Sequence, residues 1–546
     1  MQGLMMDYPL TLTHLFERSA KLFPHKEIAS KLPDGMHRYT YADFHRRVHS
    51  VARGLERLGV QPGDRVGTLC WNSSRHLELY FAIPCYGAVL HTLNLRLPSD
   101  QLAYIINHAE DRVIFVDASL MPILEPIRDQ IPCVKHFVIL PDEKPGGAKL
   151  QPATDYEQLI EDSADQPYAW PQLDENAAAA TCYTSGTTGN PKGVLYTHRA
   201  LFLHSFALAM TDVFGISERD TILQLVPMFH ANGWGIPYAA VMTGARIVFS
   251  GRQLQPADIA ELIQNERATF TAGVPTLWIA LYGYLESHPH DLSSLRTVVC
   301  AGSAMPRQFI EWYEKKYGVR FRLAWGMTET TPIATFMALK EHLGDLPEKD
   351  RFDLLARHGL PIAGVDIRIV DADGKELPWD GTTMGELQTR GPWITSGYYN
   401  DPRSDQAFVD GWFRTGDVAT IDDEGYMQIM DRTKDLVKSG GEWISSVDLE
   451  NAIMSHPKVM EAAVIAVFHP KWQERPLACI APLAQHRDNI TKEEILEFLA
   501  GRVAKWWLPD DIVFIDAVPK TSVGKFNKRA LREQFQDYEL PGTGPS

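Results

Sequence analysis

The run Tyr183-Thr184-Ser185-Gly186-Thr187-Thr188-Gly189-Asn190-Pro191-Lys192-Gly193 holds three glycines, four aliphatic hydroxyls and one lysine, with no acid. A loop of this kind can turn backbone N–H groups and hydroxyls toward one point, which suits a polyphosphate. The common P-loop pattern, Gly-x-x-x-x-Gly-Lys-Ser/Thr, cannot be placed on it. Taken alone, the run could be a flexible glycine-threonine linker. Its Pro-Lys-Gly ending and the chemically matched segments further along argue against that. An apolar stretch, Ala177 to Cys182, precedes it, and Val194, Leu195 and Tyr196 follow, so it reads as a mobile loop between two strands.

The elements that must position this loop belong to a large chain. At 546 residues it is too long for a single core, and two or more domains are expected. Apolar content of 45% and charged content of 22% are those of a soluble globular enzyme. A net charge of −16 argues against nucleic acid or an anionic membrane surface as the main partner. A polyanionic ligand must therefore be met by a local cluster of basic groups. The six cysteines, Cys70, Cys85, Cys133, Cys182, Cys300 and Cys479, are scattered singly, which points to thiols of a reducing cytoplasm and not to a disulfide framework or a zinc site. Neither a secretory signal nor an apolar run long enough for a transmembrane segment is present.

In chain order, Thr40 and Asp43 predict a capping box, with Phe44, Val48, Val51, Leu55 and Leu58 as the buried face of the helix that follows. Strand Arg65 to Cys70, helix Leu77 to Tyr86, strand Val89 to Thr92, a helix capped by Ser99 and strand Val113 to Val116 come next. Residues 143–150 read as a surface excursion. After the glycine-rich loop, Thr197 can cap a helix to Met210, and strands are predicted at 221–226, 246–249, 269–273 and 297–301. This alternation is the signature of layered α/β sheets with parallel strands. From Gly364 to Thr389 short β runs and Asp-Gly turns predict a small β subdomain. From Val447 the pattern is α+β: a helix to Met454, strands 462–467 and 477–482, and a helix 492–503. The fold class is therefore α/β, with a large N-terminal domain (1–433) and a smaller, mobile α+β C-terminal domain (434–546).

Five segments in this order resemble the adenylate-forming superfamily of acyl-CoA synthetases, luciferases and peptide-synthetase adenylation domains. They are Thr184–Gly193, Trp325-Gly326-Met327-Thr328-Glu329, Trp412–Asp417, Asp431-Arg432 and Pro519–Lys525. The resemblance covers nearly the whole chain. The segments His91–Leu97, Pro227–Trp234 and Ser439–Ser445 make it most similar to the medium- and long-chain fatty-acyl-CoA synthetase branch.

The resemblance implies an ATP-dependent fatty-acid:CoA ligase acting through an acyl-AMP intermediate, with ATP and coenzyme A as cosubstrates and Mg2+ as cofactor. A carboxylate must then attack the α-phosphorus of ATP, so two anions approach each other and their repulsion has to be cancelled. By resemblance Lys525 supplies that positive charge, Thr184 and Glu329 hold the magnesium, and Thr328 reaches the α-phosphate. Ser185, Gly186, Thr187, Thr188, Gly189 and Lys192 would grip the β- and γ-phosphates. Trp325 would stack on adenine beside Gly302, Ser303, Ala304, Gly326 and Met327, and Asp417 would take the ribose hydroxyls with help from Arg432. Lys434 falls at the hinge about which the small domain turns after adenylation. Gly440, Gly441, Glu442 and Trp443 would then form the coenzyme A side. Trp234 would close the fatty-acyl tunnel, and His230 either shapes that pocket or assists catalysis.

Within this reading the acid could instead be aryl, branched or sulfur-containing. A non-catalytic acyl-nucleotide-binding homologue is the rival from another class, and the joint presence of Lys525, Glu329 and Asp417 argues against it. A luciferase-like second step is a further alternative. Relatives that pair supply the only ground for expecting a homodimer.

Overall fold

The computed structural model describes residues 1, 3–142, 149–163, 167–184, 190–252, 254–440, 442–521 and 525–541. Most of the excursion 143–150, the loop residues Ser185 to Gly189, and Gly441 therefore lie outside the described residues. The structure is a layered α/β assembly with a smaller α+β unit at its C-terminal end.

Two sheets form the body. A seven-stranded sheet runs edge to edge as Ala153–Asp155, His136–Leu140, Asp111–Asp117, Arg65–Leu69, Val89–Thr92, Ala178–Tyr183 and Gly193–Thr197. Its neighbours are parallel except for the last pair, an antiparallel hairpin that carries the glycine-rich loop. A nine-stranded sheet has six parallel strands at its centre: Arg320–Gly326, Thr297–Cys300, Phe270–Gly273, Thr221–Gln224, Arg246–Phe249 and Glu27–Leu32. Strands Val89–Thr92, Phe270–Gly273 and Thr297–Cys300 are buried at every position, as expected where helices cover both faces of a parallel sheet.

A third, five-stranded sheet is antiparallel and contains Asp366–Val370, Gly385–Arg390, Trp412–Ile421 and Met427–Arg432. A fourth, also five-stranded, joins the hairpin Val437–Ser439/Glu442–Ile444 to Gln473–Pro482, Val459–His469 and Asp511–Phe514.

Local chemistry explains most of the boundaries. Thr40 and Asp43 form the expected capping box at the start of helix Tyr41–Arg57, and Phe44, Val48, Val51 and Leu55 are fully buried. Thr197 caps helix His198–Ala209 through the amide of Ala200. Other expectations shift. Ser99 is the first residue of helix Ser99–Ala109 and not its cap; Pro98 holds the cap position without a side-chain bond, since proline's fixed φ already suits a helix start. The second helix begins at Ser74, because Ser73 accepts from the amide of His76. The last long helix ends at Leu499, not Val503, because Ala500 is already extended. The antiparallel strands Gly35–Thr40, at the sheet edge, and Ile333–Phe336, one in from the other edge, and the hairpin 437–444 had no clear alternation to reveal them.

One side chain joins the two body sheets at their carboxyl ends. The Asn72 amide, just beyond strand Arg65–Leu69, donates to the carbonyls of Gln224 (3.1 Å) and Val226 (2.9 Å) and accepts from the amide of Met228 (2.8 Å). Strand-end crevices of this kind are where open α/β sheets bind ligands. Asn72→Ala leaves the Met228 amide without its acceptor and takes one donor each from Gln224 O and Val226 O, which keep Ser250 Oγ and Gln224 Nε2, a loss of about 1–3 kcal/mol. The expected outcome is a denaturant midpoint lowered accordingly, with an unchanged dependence on denaturant concentration.

Candidate active site

The site lies where the strand ends of the two sheets, the antiparallel sheet and the C-terminal unit converge. A cavity of about 520 Å³ is lined by Thr184, Lys192, His230, Trp234, Gly302, Gly326, Met327, Thr328, Glu329, Arg432, Lys434 and Lys525, among others. A second cavity, about 270 Å³, is lined by Ser303, Ala304, Trp325, Asp417 and Lys528, and it shares Gly302, Gly326, Arg432, Lys434 and Lys525 with the first. The expected phosphate side and the expected adenine side therefore meet at one lysine.

Lys525 stands on a short loop closed by its own hydrogen bonds. Its carbonyl accepts from Thr521 N at 2.7 Å, its amide donates to Thr521 Oγ1 at 3.2 Å, and Asn527 N donates to Pro519 O at 2.7 Å. No residue pattern around Pro519–Phe526 announced that this lysine is enclosed. Burial, reinforced by the Arg432 guanidinium, pushes its ammonium down to about 8, while Asp417 and Glu329 pull the other way. Gly302, at φ +98°, makes room for it: a Cβ there would stand 3.0 Å from Lys525 Cε. Few residues but glycine adopt that backbone, and none would leave the lysine its path.

Glu329 is 5% exposed, and burial raises its carboxyl above the usual range against the opposing pull of the Tyr398 hydroxyl. Tyr398 Oη donates to Glu329 Oε1 at 2.7 Å, and the Lys192 ammonium lies 4.3 Å from the centre of the same ring. Glu329 Oε2 has no side-chain hydrogen bond among the described residues. Thr184 sits at the mouth of the hairpin, its amide donating to Lys192 O (2.9 Å) and its hydroxyl accepting from Lys192 N (3.2 Å). A carboxylate oxygen and a hydroxyl on one cavity wall are hard donors that fit a magnesium ion arriving with a triphosphate. Thr328 is held by its carbonyl, which accepts from Tyr196 Oη at 2.8 Å.

Trp325 is 6% exposed at the end of strand Arg320–Gly326. Its indole N–H donates to Asp417 Oδ2 at 2.8 Å, and Arg432 Nε lies 2.9 Å from Asp417 Oδ1. Both carboxylate oxygens expected to receive ribose hydroxyls are thus engaged by protein donors.

His230 and Trp234 border a backbone feature that no residue pattern announced. Ala231, Asn232, Gly233, Trp234 and Gly235 all have positive φ, from 42° to 71°. For the residues bearing a Cβ this costs about 1–2 kcal/mol each. The segment is held by Gly233 N donating to His230 O (3.0 Å), Cys182 Sγ to Asn232 Oδ1 (3.2 Å) and Gln224 Nε2 to Gly233 O (3.3 Å). Trp234 is 4% exposed. Burial, with the Lys525 ammonium nearby, pushes His230 down to about 3, so it is neutral at ordinary pH and can take a proton only weakly.

Other expected residues are not brought to this place. Gly440 and Trp443 line neither cavity, and Glu442 belongs to the same distant hairpin. Gly440, at φ +60°, packs instead against Trp472, where a Cβ would come within 2.8 Å of the ring. Conversely, Tyr398 and Arg403 line the first cavity and were missed. Arg403 donates to Asn190 O at 3.1 Å and pairs with Asp401. The only sequence signal was the Gly-Tyr-Tyr-Asn turn at 397–400, which has no periodicity.

Away from the site, Glu17, His45 and His49 bring their polar atoms together, with His45 and His49 Nε2 3.2 Å apart. His49 Nδ1 accepts from Tyr168 N at 2.9 Å, so in the neutral ring the proton sits on Nε2. That makes the group a hydrogen-bond cluster and not a ready metal ligand set. Among the described residues no helix is long and apolar enough to cross a membrane.

The comparisons with known proteins agree with this geometry. A family model described as AMP-binding enzyme matches residues 16–399, and one described as AMP-binding enzyme C-terminal domain matches 448–525. The chain is 50% identical to a long-chain-fatty-acid–CoA ligase of Thermus thermophilus, over 98% of this chain and 97% of that protein. It is 45% identical to a 3-methylmercaptopropionyl-CoA ligase of Ruegeria lacuscaerulensis, over 98% and 99%. A solved anthranilate CoA ligase with bound anthranoyl-AMP superposes with a TM-score of 0.86 at 25% identity, covering 97% of this chain and 98% of that one. With both domain models matched and the cavities built where their strands end, the chain belongs to the AMP-binding enzymes of the adenylate-forming superfamily.

Proposed function

We propose that the protein is an AMP-forming fatty-acid:CoA ligase for medium- or long-chain acids. The observation that carries this reading is the Lys525 ammonium standing in one cavity with Thr184, Glu329 and the apolar wall at Trp234. In the first half-reaction a carboxylate oxygen attacks the α-phosphorus of ATP, the bond to the bridging oxygen breaks, and pyrophosphate leaves. Lys525 cancels the repulsion between the two anions, and its separation from bulk water makes that charge more effective than it would be in solvent. Thr184 and Glu329 would hold Mg2+, which when bound neutralises phosphate charge. Lys192, Arg403 and the glycine-rich loop hold the leaving group, and Trp325, Asp417 and Arg432 hold the nucleoside.

In the second half-reaction the coenzyme A thiolate attacks the acyl carbonyl and AMP leaves. Lys525 has no part in it, and the hairpin Val437–Ile444, which lies away from the cavities, has to approach. We therefore take Lys434 as the hinge between a large domain ending at 433 and a mobile domain from 434. The free thiols support a cytoplasmic setting. A sulfur-containing acid is the second reading, favoured by the 45% identity to the Ruegeria ligase.

Lys525→Ala is expected to slow acyl-AMP formation by about 100-fold or more while leaving thioester formation from supplied acyl-AMP largely intact. Rapid-quench measurement of each half-reaction decides it, and equal loss in both would sink the hinged scheme. Because Lys525 is charged below its value of about 8, kcat/KM for pyrophosphate release should be level below that pH. Above it the rate should fall about ten-fold per pH unit. A limb that does not move in Lys525→Arg would reject the assignment. Trp234→Ala should alter the order of preference along a series of acids of increasing chain length, and an unchanged series removes the gate.

A further inference from the structure

Lys528 is a buried cation three residues past Lys525 that the chemistry above does not use. Its side chain is 11% exposed, and its ammonium lies 2.7 Å from Glu450 Oε1 and 2.5 Å from Ser446 Oγ. Ser446 in turn gives both its hydroxyl and its amide (2.9 Å) to Asp431 Oδ2, and Arg432 N donates to Asp431 Oδ1 at 2.7 Å. Asp431 is 2% exposed. Ser445 Oγ donates to Met430 O at 2.5 Å, and one helical turn beyond Lys528, Arg532 pairs with Asp435 at 2.6 Å. Two cations four residues apart on helix Lys528–Gln534 thus face two acids four residues apart around Lys434.

These contacts fall on both sides of the hinge. Met430 and Asp431 precede Lys434, whereas Ser445, Ser446, Glu450 and Lys528 follow it and move together. Rotation would keep the Lys528–Glu450 pair and strip Asp431 of its two serine hydrogen bonds. An interaction present in one arrangement alone shifts the balance toward that arrangement by its full worth. Asp431 also adjoins Arg432, which touches Asp417 and faces Lys525, so the same clamp fixes the guanidinium at the nucleoside side.

We propose that Lys528 is a positioning residue for adenylation: with Ser446 and Glu450 it clamps Asp431 and thereby holds the Lys525 loop in the cavity. The inference rests on the hinged two-step reading given above. Lys528→Met, which keeps length and removes charge, should slow single-turnover acyl-AMP formation by about ten-fold or more, the scale of one buried charged hydrogen bond. Thioester formation from supplied acyl-AMP should stay within about two-fold of the parent, since the Ser446–Asp431 bonds that join the two sides of the hinge are absent in that arrangement. Lys528→Arg should restore most of the lost rate, and Asp431→Asn, on the other side of the hinge, should show the same selective loss as Lys528→Met.

If Lys525→Ala is selective for adenylation but Lys528→Met slows both steps equally, or neither, the clamp is wrong and the hinge stands. If Lys525→Ala is itself unselective, the rotation fails and takes the clamp with it.

Discussion

In the ligase proposed above, everything at the centre depends on keeping one ammonium group charged, out of water and between two anions that repel. The chain as a whole works against that, carrying a net charge of −16. The answer is local. Burial, with Arg432 beside it, outweighs the pull of Asp417 and Glu329 on Lys525, so its proton is held less tightly than in water. A lysine in that condition stays mostly charged at neutral pH yet responds strongly to an added carboxylate or phosphate. The remaining architecture can be understood as the means of delivering this group from a separate unit at the C-terminal end.

Delivery from another unit explains why the large domain is so heavily tied together. Asn72 joins the two body sheets at their carboxyl ends, and Tyr398 and Arg403 bond Glu329 and Asn190 in the cavity wall. A moving lysine can be placed accurately only against a wall that does not move. The left-handed segment 231–235 is the exception, since it stores backbone strain beside the acyl wall.

Much of the architecture was legible because its signals are local. Capping at Thr40 and Thr197, alternation of helix and buried strand, and the change to short β runs after Gly364 each follow from neighbouring residues. The residues proposed for the nucleotide were suggested by five spaced segments, not by any one of them. What stayed hidden depends on distant partners. Trp325 could be read as an adenine platform, but not as a donor to Asp417, because that bond joins two sheets. The enclosure of Lys525 comes from residues of the other domain, so nothing in Pro519–Phe526 could report it. The hairpin at 437–444 looked like a charged, glycine-bearing coil because its runs are only three residues long and its link to the rest of the sheet, Ser439 to Gln473, is remote in sequence.

Gly302 has a further consequence. Its missing methyl is the space through which Lys525 reaches the cavity, so a side chain absent from one domain fixes what the other can insert. Divergence of the two domains is therefore linked at this position. A C-terminal unit borrowed from another enzyme would fit this body best if its lysine followed the same path, and a side chain at 302 would crowd that path and strain the backbone. The compatibility of the two halves is written in a vacancy.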